Sequence, residues 1–284
     1  MAEIRVNGVT LHYEAHGEGP GVVLVHGSWS DADSWARVLP GLAESTTAVA
    51  YDRRGHSRSE DPLTQGSVYE DAADLAGLIE RLGLAPVFVY GDSYGALVTL
   101  RLSAARPDLL RGIAVHEPPG TGILLADPEL RPIGTDFADR IAAVRELLEQ
   151  AESAAAAELY VDSLAFGPGA WEQLPAPVRH AYIRNAPTYL DELRDPDALD
   201  LDLIGLSRFG EPALLTQSDD SAPMFGEVLD LIDLTLPRAE RHLYQGAGHA
   251  PHLSQPEEWV RVVLPRALGE ASGEPGPGPG GMPG

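Results

Sequence analysis

The 284-residue chain contains no cysteine and no lysine. The first absence excludes disulfides, thiolate nucleophiles and cysteine-ligated zinc or iron–sulfur centres. The second leaves arginine as the only permanent cation, so 20 arginines face 43 carboxylates and the formal net charge is -23. A chain this acidic repels a phosphate backbone and an anionic bilayer, which excludes nucleic acid and membrane as expected partners. Also missing is any apolar run near the roughly 18 residues of a membrane span. The opening MAEIRVNGVTLHYE carries charges and alternation where a secretory leader needs a continuous apolar stretch. The expectation is a cytoplasmic protein acting on a small molecule.

The chain does have core-forming residues, at 44% hydrophobic, and they recur in a pattern. VTLHYEAHG, GVVLVHG, TTAVAYD, PVFVYGD, GIAVHEP, PALLTQS and RHLYQGAG are short, β-branched apolar runs. Helix-length segments separate them: Ser34 to Ala43, Val68 to Leu82, Tyr94 to Ala105 and Ala222 to Leu234. This alternation predicts an α/β fold, a mostly parallel sheet flanked by helices, with an N-terminal antiparallel pair turning at Asn7-Gly8. From Pro118 to about Phe209 the alternation stops, and two helices are expected, Asp136 to Phe166 (broken) and Pro177 to Tyr189. The expected organisation is a first core part over 1–118, an inserted helical lid over 119–210, a second core part over 211–270, and a flexible Gly/Pro tail over 271–284.

GDSYG, residues 91–95, sets Asp92 beside Ser93 between two glycines, after a strand and before a helix. That is the context of a G-x-S-x-G nucleophile elbow, in which the central residue points out at the end of the sheet. Position therefore selects Ser93 as nucleophile and leaves Asp92 for local hydrogen bonding. A serine hydroxyl needs a base, and histidine titrates in the right range. His249, in YQGAGHAPH after the last strand and ahead of a helix opened by a Ser254–Glu257 capping box, is preferred over His252.

Several segments in order resemble the α/β-hydrolase superfamily: VLVHGSWSDADSW, YDRRGHSRSE, the elbow, GIAVHEPP and GAGHAPHLSQPEEW. Ser57 stands where that superfamily usually has glycine. The resemblance implies an oxyanion hole from the backbone amides of Ser28 and Tyr94, with Trp29 as the neighbour if the loop register differs, and makes His26 a loop-shaping residue. It also implies an acid after the strand that follows the lid. PALLTQSDDSAP offers Asp220, preferred, and Asp219, with Glu117 after the sixth strand as a variant position of the superfamily.

The implied activity is a serine hydrolase acting on an ester, thioester or lactone, with no metal and no organic cofactor. Perhydrolase or haloperoxidase chemistry, C–C bond hydrolysis and a biosynthetic lyase or cyclase use the same framework, and a ligand-binding receptor with a vestigial triad is the alternative from another class. The lid segment has 16 acidic residues against 7 arginines, so a neutral, partly apolar substrate is expected.

Overall fold

The computed structural model describes residues 2–62 and 64–270, and the expected tail at 271–284 lies outside the described residues. Eight strands form one sheet: β1 Ala2–Val6, β2 Val9–His16, β3 Gly21–Val25, β4 Thr47–Tyr51, β5 Val87–Asp92, β6 Leu110–His116, β7 Ala213–Ser218 and β8 Ala239–Tyr244. Their spatial order is β1-β2-β4-β3-β5-β6-β7-β8. β1, β2 and β4 pair antiparallel, and all pairs from β4 through β8 are parallel. The turn between β1 and β2 has Asn7 and Gly8 both at positive φ, 42° and 86°, the twist that a two-residue hairpin requires.

The central strands are apolar throughout because both faces of the sheet are covered. Along β3, Val23 and Val25 join one buried cluster with Leu75, Ile79 and Leu97, while Val22 and Leu24 join another with Trp35 and Trp259. Each such fully buried side chain contributes about 1.5–3 kcal/mol relative to exposure. Helix Val68–Leu82 begins at Ser67, whose hydroxyl accepts from the Glu70 amide, and ends at Gly83 with φ 66°.

Between β6 and β7 every regular element is helical, including Arg131–Glu149, Ser153–Tyr160 and Ala176–Arg194. The break expected in the first long helix falls at Ala151, at φ 61°, and a π turn at Val161–Ala165 extends Ser153–Tyr160. The last of these helices runs five residues beyond its expected end, with Pro187 inside it. The expected capping box does not form: the helix starts at Pro256, and the Ser254 hydroxyl donates back to the Ala250 carbonyl. Among the described residues, no helix is long and apolar enough to cross a membrane.

Candidate active site

All strands from β3 to β8 run the same way, so the loops after them gather at one edge. Ser93 follows β5 there, at φ 53° and ψ -118°, and its amide donates to the His116 carbonyl of β6 at 2.8 Å. Such a backbone costs about 1–3 kcal/mol and persists only where the surroundings enforce it. The flanking glycines allow the turn: a Cβ on Gly91 would lie 2.2 Å from the Gly95 carbonyl oxygen, and one on Gly95 would lie 2.3 Å from that of Val25.

His249 arrives on the loop after β8 and is buried, its ring stacked on Phe225 at 4.7 Å. Its Nδ1 lies 2.6 Å from Oε2 of Glu117, the residue directly after β6. The other Glu117 oxygen accepts the Ser218 amide at 2.7 Å, and His116 Nε2 lies 3.5 Å from Oε2. Burial alone would raise the Glu117 carboxyl, but the imidazoles of His116 and His249 hold it well below the usual carboxylate range. Burial alone would lower His249, but the hydrogen bond and charge of Glu117 outweigh it and raise the imidazole above its ordinary value.

The preferred acid, Asp220, is not at this position. Asp219 and Asp220 are both exposed. Asp219 Oδ1 accepts the Gly246 amide at 2.7 Å, and the amides of Asp219 and Asp220 donate to the carbonyls of Tyr244 and Ala247. The SDD turn therefore fastens the loop that carries His249, and the carboxylate against the imidazole is that of Glu117. The family resemblance offers Glu117 only as a variant acid position, behind Asp220 and Asp219, and it is this position that the structure brings to His249. The Glu117 backbone, at φ 44°, is the structural sign of constraint.

The loop after β3 approaches the elbow so closely that a Cβ on Gly27 would lie 3.0 Å from Cβ of Ser93. His26 shapes this loop: its Nε2 accepts the Arg53 amide at 2.9 Å, and burial lowers its pKa to about 3. Two residues of helix Ala176–Arg194 that the sequence did not single out also hold the loop. Asn185 Nδ2 donates to the Ser30 carbonyl at 2.8 Å, while its Oδ1 accepts the Ser57 amide at 2.9 Å. Ser57 takes the left-handed backbone expected of a glycine, φ 45°. Glu192 accepts the Ser28 hydroxyl at 2.5 Å and Arg53 Nη2 at 2.5 Å, both deep in the protein. Arg53 also reaches Asp71 at 3.2 Å and lies over the Tyr94 ring at 4.5 Å. Glu192 is the one glutamate of its helix, and no local pattern marks it as buried.

Ser93, Ser28 and His249 line a cavity of about 470 Å³, together with Tyr160, Phe166 and Tyr182 of the helical segment. Asp92 lines it too, and its Oδ1 is buried without a hydrogen-bond partner among the described residues, so the expected local bonding is absent at that atom. Burial pushes its carboxyl up to about 6, against the opposing influence of His249 and His116. His252 packs on Trp35 at 4.4 Å, and burial lowers it to about 3. Among the described residues, His116, Glu117 and His249 present donor atoms within 4.8 Å of one another and could hold a cation, which would compete with the His249–Glu117 hydrogen bond.

A sequence model of the alpha/beta hydrolase family matches residues 22–262. The uncharacterized hydrolase YraK of Bacillus subtilis (strain 168) is 37% identical over 117 residues, which is 40% of this chain and 43% of YraK. An alpha/beta hydrolase from Sphaerobacter thermophilus DSM 20745 superposes with a TM-score of 0.73 at 22% identity, covering 93% of this chain and 98% of that one. The enol-lactonase from Burkholderia xenovorans LB400 superposes with a TM-score of 0.75 at 21% identity, covering 95% of this chain and 100% of that one. At those identities the two structures speak for the fold alone.

Proposed function

The chain belongs to the alpha/beta hydrolase family and is a hydrolase, and from that premise we propose that it cleaves an ester, thioester or lactone through an acyl-enzyme on Ser93. The observation that carries the reading is the placement of Ser93, on a strained elbow, in one cavity with a histidine whose far nitrogen is 2.6 Å from a buried carboxylate.

In this reading Ser93 Oγ attacks the acyl carbon as His249 Nε2 takes its proton, and Glu117 holds the imidazole in the required tautomer and stabilises its cation. The amides of Ser28 and Tyr94 receive the negative charge that develops on the carbonyl oxygen. Tyr94 opens helix Tyr94–Ala105, so its amide belongs to the first turn, where no intrahelical acceptor is available. Removing one such donor typically costs about 3–4 kcal/mol of transition-state stabilisation. His249 returns the proton to the departing oxygen or sulfur, and a water then repeats the sequence on the acyl-enzyme to release the acid. The helical segment acts as a lid, its aromatic side chains roofing the cavity over a neutral, partly apolar substrate.

The test is a chromogenic short-acyl ester together with covalent capture by a fluorophosphonate. Turnover, and an adduct located at Ser93, are expected, and Ser93→Ala should abolish both. A folded preparation that gives neither removes the proposal.

A further inference from the structure

Ser93 and His249 stand at the junction of two spaces of very different size. One is the cavity of about 470 Å³, and the other is a recess of about 20 Å³ between the helical segment and the sheet edge. Its apolar walls are Phe137, Ile141, Leu164, Leu193 and Phe225. We propose that this recess is the acyl subsite, and that the enzyme's substrates are open-chain esters or thioesters of a one- to three-carbon acid carried on a larger, partly apolar leaving group. The inference deepens the serine-hydrolase reading and rests on it.

Orientation follows from the proton. The leaving group must take it from His249, so it departs on the side where the histidine loop lies. Ala250, His252 and Leu253 of that loop line the large cavity and not the recess. Tyr94, which carries one of the two oxyanion amides, lines the recess and not the large cavity. The carbonyl carbon held between them therefore directs its acyl chain into the recess and its alkoxy or thiolate arm into the cavity.

Size follows from the walls. A space needs about 10–15 Å³ on this measure to hold one water-sized group, so the recess accepts a methyl or an ethyl. It cannot widen freely. Phe225 is stacked on the His249 ring, so moving it outward disturbs the base, and Phe137 packs edge-on against Phe225 at 6.1 Å. Overfilling a packed space of this kind costs about 1–3 kcal/mol. A lactone, whose two arms are joined, would have to bridge both spaces. In the proposed reaction the Ser93 Oγ–C bond forms first and the carbonyl π pair moves onto the oxygen; as that oxyanion collapses the acyl C–O or C–S bond breaks, the leaving group carries off the serine proton through His249, and water repeats the two steps to regenerate the serine and release the short acid.

The experiment is a chain-length series of p-nitrophenyl acetate, butyrate and octanoate, run on the wild type and on Ile141→Ala and Leu193→Ala, with active enzyme counted by fluorophosphonate labelling. For the wild type kcat/KM should be about tenfold or more higher for acetate than for octanoate. Either variant, labelled normally, should move the optimum to butyrate or beyond. Acetates of larger aryl alcohols should be hydrolysed without loss. A flat profile or an octanoate preference in the wild type overturns the subsite and leaves the hydrolase reading intact. So does an unchanged optimum in both labelled variants. Absence of turnover with every ester, and of labelling, overturns both.

Discussion

The ends of β6 and β7 lie side by side at the same sheet edge, and each carries carboxylates. Glu117 after β6 is fully buried, at a left-handed backbone angle, between two histidines. Asp219 and Asp220 after β7 are exposed and fasten a loop. The same chemical group thus has two uses one strand apart, and what separates them is burial next to the elbow's own strand. Removing the buried group should have the largest consequence. Glu117→Gln should lower kcat by about 10³–10⁴, since it removes the charge that fixes the tautomer and supports the imidazolium. Its pH profile should also move. The base must be neutral to act, so kcat/KM rises with pH through the raised pKa of His249. Without Glu117 the imidazole loses what raised it, and the acid limb should move to lower pH. A limb that stays in place would break the assignment of Glu117 to His249.

The comparison extends to the helical segment, where Glu192 is likewise a buried carboxylate among exposed ones. It acts through other groups: it holds the Ser28 hydroxyl and the Arg53 guanidinium that lies over Tyr94, so it touches the supports of both residues proposed to supply the oxyanion amides. Glu192→Gln keeps an acceptor for Ser28 but removes one of the two carboxylates, Glu192 and Asp71, that pair with Arg53. Displacing oriented groups by small distances costs up to about 10²-fold in rate. The expectation is a kcat lower by about tenfold to a hundredfold with KM little changed, per active site titrated. A rise in KM alone would place Glu192 in substrate binding instead.

Asp92 offers a contrast within the site, a buried carboxyl lacking the partners that Glu117 has. Its folded-state pKa is raised from 3.8 to about 6. The groups facing it are His249 and His116, which lower it, and Glu117, which raises it. A raised carboxyl pKa means that the folded state prefers the proton, so its contribution to stability is full below the unfolded value and is lost as pH rises through the folded one. Asp92→Asn, neutral at every pH, should therefore gain on the wild type by about 2 kcal/mol between pH 4 and pH 8. Urea unfolding at the two pH values measures this, and an equal difference at both would show that Asp92 is not held protonated.

Local signals in the sequence carried most of this arrangement. The glycine spacing at 91 and 95 specified the elbow because only a residue without Cβ fits against Gly95 and Val25. Period and length located β3, β5 and helix Val68–Leu82, whose predicted and observed ends coincide. What stayed hidden depends on partners distant in the chain. Glu117 meets His249 across 132 positions and Glu192 meets Ser28 across 164; the family resemblance offers Glu117 as a variant position without ranking it first, and nothing in the sequence marks Glu192. Asp220 was favoured for its spacing from the end of β7, a count that does not tell which strand's end faces the imidazole. The capping box failed for a similar reason: Pro256 supplies a helix start of its own, which leaves Ser254 to the preceding turn.

The smallest effect is expected at the acid the sequence prefers. Asp220 is exposed, and its recorded bond is from the backbone amide to the Ala247 carbonyl, which a side-chain change leaves in place. Asp220→Asn should keep kcat and KM within about twofold of wild type, the range of an exposed substitution that touches no special feature. Asp219→Ala removes the acceptor for the Gly246 amide, so it should lower the thermal midpoint slightly and kcat modestly while leaving the pH profile in place, because the His249–Glu117 contact is untouched. Measured beside Glu117→Gln, these two variants decide between the strand ends. If Asp220→Asn lost activity on the scale of Glu117→Gln and moved the acid limb with it, the working carboxylate would belong to β7, and the 2.6 Å contact with Glu117 would be an arrangement of the resting enzyme.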